Sequence, residues 1–147
     1  MVIEMRMYYI FNIKREIIKL YQNNPISLYK MLENIYFMKE DEFDYGYNLF
    51  KQIVLSNDIP KLNNDIYIKL HKDLIYSKID NEHIINDLYH DEVSILKIKK
   101  SRIMLESNKS YSSFFKILNE LNDNYFVCDF KEKDFFFINN IMMSKVL

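Results

Sequence analysis

One glycine, Gly46, serves the whole 147-residue chain, and that scarcity removes several architectures at once. A phosphate-binding loop or a dinucleotide-binding fingerprint needs glycines at which the backbone can close on the phosphates. Neither can be built here, so the common kinds of nucleotide-dependent catalysis are excluded. The breaks between patterned segments are marked instead by Asn, Asp and Pro: Asn23-Asn24-Pro25, Asn57-Asp58-Ile59-Pro60 and Asn122-Asp123-Asn124.

Between those breaks the hydrophobic period changes repeatedly. Met5 to Ile13 is apolar and aromatic, with Tyr8, Tyr9 and Phe11, and predicts a first strand central in its sheet. From Lys14 the period becomes helical through Ile17, Ile18 and Tyr21. Pro25 then suits the first turn of a second helix carrying Leu28, Leu32 and Ile35 on one face. The acidic residues between Lys39 and Asp44 fit the positive start of a third helix bearing Phe43, Tyr47, Phe50 and Val54, with Gly46 near its beginning.

The segment from Leu62 to Leu88 reads two ways: Ile66, Ile68 and Leu70 alternate like a strand, whereas Ile66, Leu70 and Leu74 fit a helix. Short helices are expected there. Val93 to Ile98 and Ile103 to Leu105 read as a hairpin around Lys99-Lys100-Ser101-Arg102. Ser107 or Asn108 can cap a helix bearing Tyr111, Phe114, Phe115, Leu118 and Leu121. A second hairpin joins Tyr125 to Phe130 and Phe135 to Ile138 across Lys131-Glu132-Lys133-Asp134. The expectation is a single α/β domain of the α+β type, residues 1–147, with about five mostly antiparallel strands and helices packed on the sheet.

Composition supplies the material for such a core: 49% of residues are hydrophobic, among them 11 Phe and 12 Tyr. A chain of this length buries roughly 70% of the surface its unfolded form exposes. Lys and Arg total 20 against 21 Asp and Glu, a formal charge of -1, so no global field draws the protein to nucleic acid or anionic lipid. No run approaches the ~18 uncharged apolar residues that span a bilayer. The early Arg6, followed by Lys14, Arg15 and Glu16, does not read as a signal peptide. A cytoplasmic location and a monomer are expected.

The residues that could carry chemistry are few. The single cysteine, Cys128, lies in Tyr125-Phe126-Val127-Cys128, where a buried thiol is the ordinary reading. The three histidines, His71, His83 and His90, lack the helical spacing of a metalloprotease site and the paired cysteines of a zinc module. His90-Asp91-Glu92, with Asp87 and His83 nearby, is the best metal-like cluster, but a polar loop entering a strand collects such residues anyway. Neighbouring carboxylates such as Asp41 and Glu42 fit helix capping better than acid/base work. No catalytic residue, metal site or cofactor is predicted.

Two surfaces could bind a macromolecule. Lys97, Lys99, Lys100 and Arg102 put four cations on or beside one hairpin turn, which offers the alternative of single-stranded nucleic-acid binding. Hairpin tips are also charged simply for solvation. On the first helix, Ile17 and Tyr21 lie one turn apart with Lys14 one turn earlier. This stripe either packs on the sheet or, if exposed and rimmed by Lys14 and Gln22, forms a docking patch with Tyr21 as its anchor.

The run Arg6-Met7-Tyr8-Tyr9-Ile10-Phe11-Asn12-Ile13-Lys14-Arg15-Glu16, with Tyr21 after it, resembles the opening of the sporulation inhibitor of replication family (SirA) of spore-forming Firmicutes. Ile59-Pro60, Ser113-Phe114-Phe115-Lys116-Ile117-Leu118, Tyr125 to Phe130 and Phe135 to Asn139 are similar to later parts of that family, in the same order. The resemblance implies a non-enzymatic inhibitor that binds the N-terminal domain of the replication initiator DnaA, with no direct contact to nucleic acid or membrane. It implies docking through the first helix and part of the third. Those positions correspond here to Ile17 and Tyr21, beside Lys14, and to Lys51 and Val54. Ile17 is aliphatic where the family carries an aromatic residue.

Overall fold

Strand β1 (Arg6–Asn12) organises the molecule because both of its faces are apolar. The pleat sends alternate residues to opposite sides of a sheet, so Tyr8 and Ile10 enter one core while Phe11, followed by Ile13, enters another. The computed structural model describes residues 4–144. After β1 come α1 (Arg15–Tyr21), α2 (Pro25–Tyr36), a single 3₁₀ turn at Glu40–Glu42, α3 (Phe43–Ile53) and α4 (Ile59–Leu70). Strands β2 (Tyr76–Ile79), β3 (Glu82–Asp87), β4 (Glu92–Ile98) and β5 (Ile103–Ser107) follow, then α5 (Ser113–Leu121), β6 (Tyr125–Asp129), β7 (Asp134–Phe137) and α6 (Ile138–Ser144).

The strands form one antiparallel sheet in the order β2-β3-β4-β5-β1-β6-β7, so β1 lies inside it, between β5 and β6. One face carries Ile66 and Leu70 of α4, Phe114, Phe115 and Leu118 of α5, and Ile138 of α6, all buried against Tyr8, Leu96, Leu105 and Val127. The other carries Leu28, Tyr29 and Leu32 of α2 and Ile53 of α3 against Phe11, Phe126, Cys128 and Phe137. Burial pushes the Cys128 thiol well above the usual range, away from thiolate chemistry.

Seven strands replace the five expected, because the segment 62–88 is not a run of short helices. Its first part belongs to α4, but residues 76–87 form a hairpin. Strand β2 gave no alternating signal: it sits at the sheet edge, with Tyr76 half-buried and the next three residues exposed. Its turn also lacks glycine. Asp80 takes the left-handed conformation (φ 53°), as do Asp91 (φ 55°) and Lys133 (φ 55°) in the next and last hairpins. Asp tolerates this region through local hydrogen bonds, while a Lys there costs about 1 kcal/mol. Glycine scarcity is therefore met by strained non-glycine turns.

Two further boundaries differ from the sequence reading. The cap of α5 is Ser112, whose hydroxyl accepts the Phe114 N–H at 3.2 Å. Ser107 is instead the buried end of β5, and Asn108 accepts the Val93 N–H, so neither is free to cap. Tyr111 consequently precedes the helix. Chain after Phe137 turns into α6, where no helix was expected.

Glu92 and His83, titratable groups buried in the first core, are fully engaged, while among the described residues Asn119 Oδ1 on α5 is buried without a partner. The buried Glu92 carboxylate sits at the start of α5 and accepts from the Ser113 N–H (3.0 Å) and from the hydroxyls of Ser112 (3.0 Å), Ser113 (2.5 Å) and Ser94 (2.5 Å). Burial opposes its ionisation, but the bonds from Ser113, Ser94 and Ser112 outweigh it and hold the carboxyl below the usual range. His83 is enclosed between the Tyr76 hydroxyl, 2.7 Å from Nδ1, and Asn63 Oδ1, 2.8 Å from Nε2. Desolvation, assisted by Lys78, lowers its pKa to about 4. The metal-like cluster read from sequence is thus divided: His83 and Glu92 serve the core, and His90 pairs with Asp87 at the surface, 2.7 Å apart.

Candidate protein-docking surface

Helix α1 is short, and its first turn is fixed by backbone more than by side chains. The Lys14 N–H donates to the Ile53 carbonyl (2.9 Å), while the Lys14 carbonyl accepts from the N–H groups of Ile17 and Ile18 (both 3.0 Å). Ile13 and Val54 form an isolated antiparallel bridge, and the Leu55 N–H donates to Asn12 (2.8 Å). The end of α3 is thereby locked to the beginning of α1. Residues from two helices far apart in sequence come to lie side by side.

Within this arrangement the predicted positions divide. Ile17 and Tyr21 are half-buried, their inner atoms packed on the second core and their outer atoms in solvent. The Tyr21 hydroxyl points back to Met31 Sδ at 3.9 Å, so the ring lies across α2 and is not free-standing. Lys14 is half-buried and Lys51 exposed, its ammonium 4.4 Å from the Tyr47 ring centre. Val54 is only 5% exposed and belongs to the core. Its side chain supports Ile13 and offers a partner almost nothing; as a docking contact this position is better represented by its neighbours.

Leu20 escaped the sequence reading. It is 72% exposed on α1, three residues after Ile17 and hence beside it on the helix surface. The signal was present: Ile17, Ile18, Leu20 and Tyr21 are more apolar residues than one face of a two-turn helix can bury. On α1 and its N-cap, Lys14, Arg15 and Lys19 stand against one carboxylate, Glu16. The surface is an apolar strip with a cationic rim, suited to an acidic-rimmed apolar patch on another protein.

A second apolar feature adjoins it. The gap between α2 and α3 is a groove of about 610 Å³ lined by Phe11, Ile35, Tyr36, Met38, Phe43 and Phe50 among others. Gly46 lies in its wall, where an added Cβ would overlap Met38 Sδ. The chain's one glycine therefore serves close packing of Met38 against α3, not an unusual backbone angle.

The basic hairpin tip is tied into the protein. Asn57 donates its N–H to the Lys100 carbonyl (2.7 Å) and its Nδ2 to that of Lys99 (2.9 Å), and the Arg102 guanidinium lies 5.9 Å from the Tyr9 ring centre. Lys97 and Lys99 are half-buried. Among the described residues, no group of three or more His, Cys, Asp or Glu side chains could hold a metal, and no helix is long and apolar enough to cross a membrane.

A comparison with models of protein families matches residues 6–142 to the sporulation inhibitor of replication protein SirA. That span runs from the first residue of β1 into α6 and includes the whole α1–α3 surface. No curated protein matches the chain.

Proposed function

Since the chain belongs to the family of the sporulation inhibitor of replication protein SirA, we propose that it restrains replication as cells enter sporulation by occupying the N-terminal domain of the initiator DnaA. The reading is of a regulator that acts by contact, in the cytoplasm, without catalysis. Its docking surface is the joined end of α3 and start of α1. The observation that carries the proposal is the family match across 6–142. The geometry supports it, since the Lys14–Ile53 hydrogen bond and the Ile13–Val54 bridge make one surface of the two helices that the family resemblance implicates. Ile17, Leu20 and Tyr21 supply apolar contact area, and Lys14 and Lys51 supply charge at the rim.

Calorimetric titration with the isolated N-terminal domain of the host's DnaA tests this. Saturable one-to-one binding is expected, weakened by at least about 2 kcal/mol in Tyr21→Ala if the ring is an anchor. Because Tyr21 also leans on α2, the variant's thermal unfolding must be followed alongside. Lys51→Glu removes the ambiguity, since Lys51 is exposed and its reversal leaves the core intact. Native affinity in both variants would reject this face, and no binding by the unaltered chain would reject the partner.

A further inference from the structure

The groove between α2 and α3 carries opposite charges at its two ends. Arg102 stands at one, beside Tyr9 and near Phe11 and Phe50; Asp44 stands at the other, in the first turn of α3 beside Phe43 and Gly46. Six residues separate Asp44 from Phe50, about 9 Å along the helix. Among the described residues neither Arg102 nor Asp44 forms an ion pair. Between them the walls are aromatic, with Tyr36, Phe43 and Tyr47 still exposed and Phe37 adjoining.

We propose that this groove is the contact between two copies of the chain, related by a two-fold axis, with Arg102 of each copy facing Asp44 of the other. A two-fold contact presents the same surface from both sides, so it must be complementary to itself. A strip that is positive at one end, negative at the other and apolar between meets that requirement, because rotation brings each end onto its opposite.

The area agrees with a contact of this kind. Tyr36, Phe43 and Tyr47, which line the groove, are 48% to 60% exposed, which at about 200 Å² per aromatic side chain leaves roughly 330 Å² of their surface in water. That is within the range of the largest apolar patch on a typical monomer, and about two-fifths of the ~800 Å² that each partner buries in a standard interface. Aromatic residues, Met and Arg are also the residue types enriched in interface cores. The net charge of -1 offers little long-range repulsion between copies. A reversible dimer is thus proposed against the monomer expected from sequence, and it does not depend on the docking reading.

Sedimentation velocity of the full chain across a range of micromolar concentrations reads the proposal directly. The unaltered protein should move from monomer towards dimer as concentration rises. Arg102→Glu and Asp44→Lys should each remain monomeric over that range, their dissociation constants raised at least about tenfold by facing like charges. An equimolar mixture of the two variants should recover the dimer, because each copy then presents two like charges to two opposite ones. Circular dichroism confirms that both variants are folded. A native chain that stays monomeric throughout overturns the proposal, as does a dimer that both reversals leave unchanged. Failure of the mixture to associate would show that the charges do not meet and would overturn the two-fold arrangement.

Discussion

On the face covered by α4, α5 and α6, the rings of Phe114 and Phe115 are completely enclosed, and the polar residues His83, Glu92 and Ser94 that enter the core find partners. On the face covered by α1, α2 and α3, the sheet is sealed by Phe11, Phe126 and Phe137, yet the helices hold Tyr36, Phe37, Phe43, Tyr47 and Leu20 half in water or further out. Aromatic residues close the first side and are mostly displayed on the second, although Tyr67 (44%) and Ile68 (59%) of α4 also stay exposed on the first. Since burial of apolar surface is the main stabilising term, the first face should carry stability that the second withholds. The second face should carry the contacts with partners.

The largest effect is expected from a ring in the closed face. Phe115 is fully buried, packed edge-on against Tyr8 (5.8 Å between centroids) and Phe136 (5.4 Å). Phe115→Ala should lower unfolding free energy by about 4 kcal/mol in urea titrations. A loss below ~1.5 kcal/mol would mean that the core collapses around the gap, and the contrast between the faces would not be one of rigidity.

Next comes acid. His83 is neutral in the fold with a pKa of about 4, below its ordinary 6.5, so the unfolded chain takes up this proton first as pH falls. Stability from the buried neutral ring is complete above pH 6.5 and is lost as pH falls from 6.5 towards 4, by up to about 3 kcal/mol. Urea midpoints measured across that range should decline. His83→Gln should be weaker at neutral pH but flatter across the window; an equal slope in the variant would place the sensitive proton elsewhere.

Glu92 sharpens the comparison by a smaller step. Its depressed pKa means that its contribution is present above the unfolded carboxyl value of about 4.5 and is lost as pH falls through the folded one. Glu92→Gln should cost about 2 kcal/mol at neutral pH, since an amide cannot accept all of the four bonds the carboxylate receives. The measurement is thermal unfolding, with circular dichroism reporting whether α5 frays first.

How legible these two faces are in sequence differs for physical reasons. Strand β1, α2, the β4–β5 hairpin and the β6–β7 hairpin are readable because each buries a regular apolar pattern. The β2–β3 hairpin is not, because its edge strand buries one side of Tyr76 and little else and its turn rests on Asp80 where a glycine would have announced it. On the candidate surface, periodicity locates Ile17 and Tyr21 and puts Val54 on the apolar stripe of α3; only the family resemblance pairs Val54 with Lys51 as a docking contact, and Val54 lies in the core. Periodicity names a face; only the packing of α3 against β1 decides which members of it meet water.

The smallest expected effect is the most diagnostic. Tyr47 is as large as Phe115, but it is 60% exposed and meets the Lys51 ammonium over its ring, an interaction worth about 0.5 kcal/mol at such a site. Tyr47→Ser should therefore change stability by no more than about 0.5 kcal/mol, near the limit of a urea titration. Its consequence should appear in association, read by sedimentation, where an exposed aromatic contributes what it does not give to the fold. A loss of stability approaching that of Phe115→Ala would show that the ring is held by the α2–α3 packing, and that the second face is closed like the first. A stability-neutral change that weakens association would show the opposite: aromatic residues on this face have been kept out of the core so that another surface can bury them.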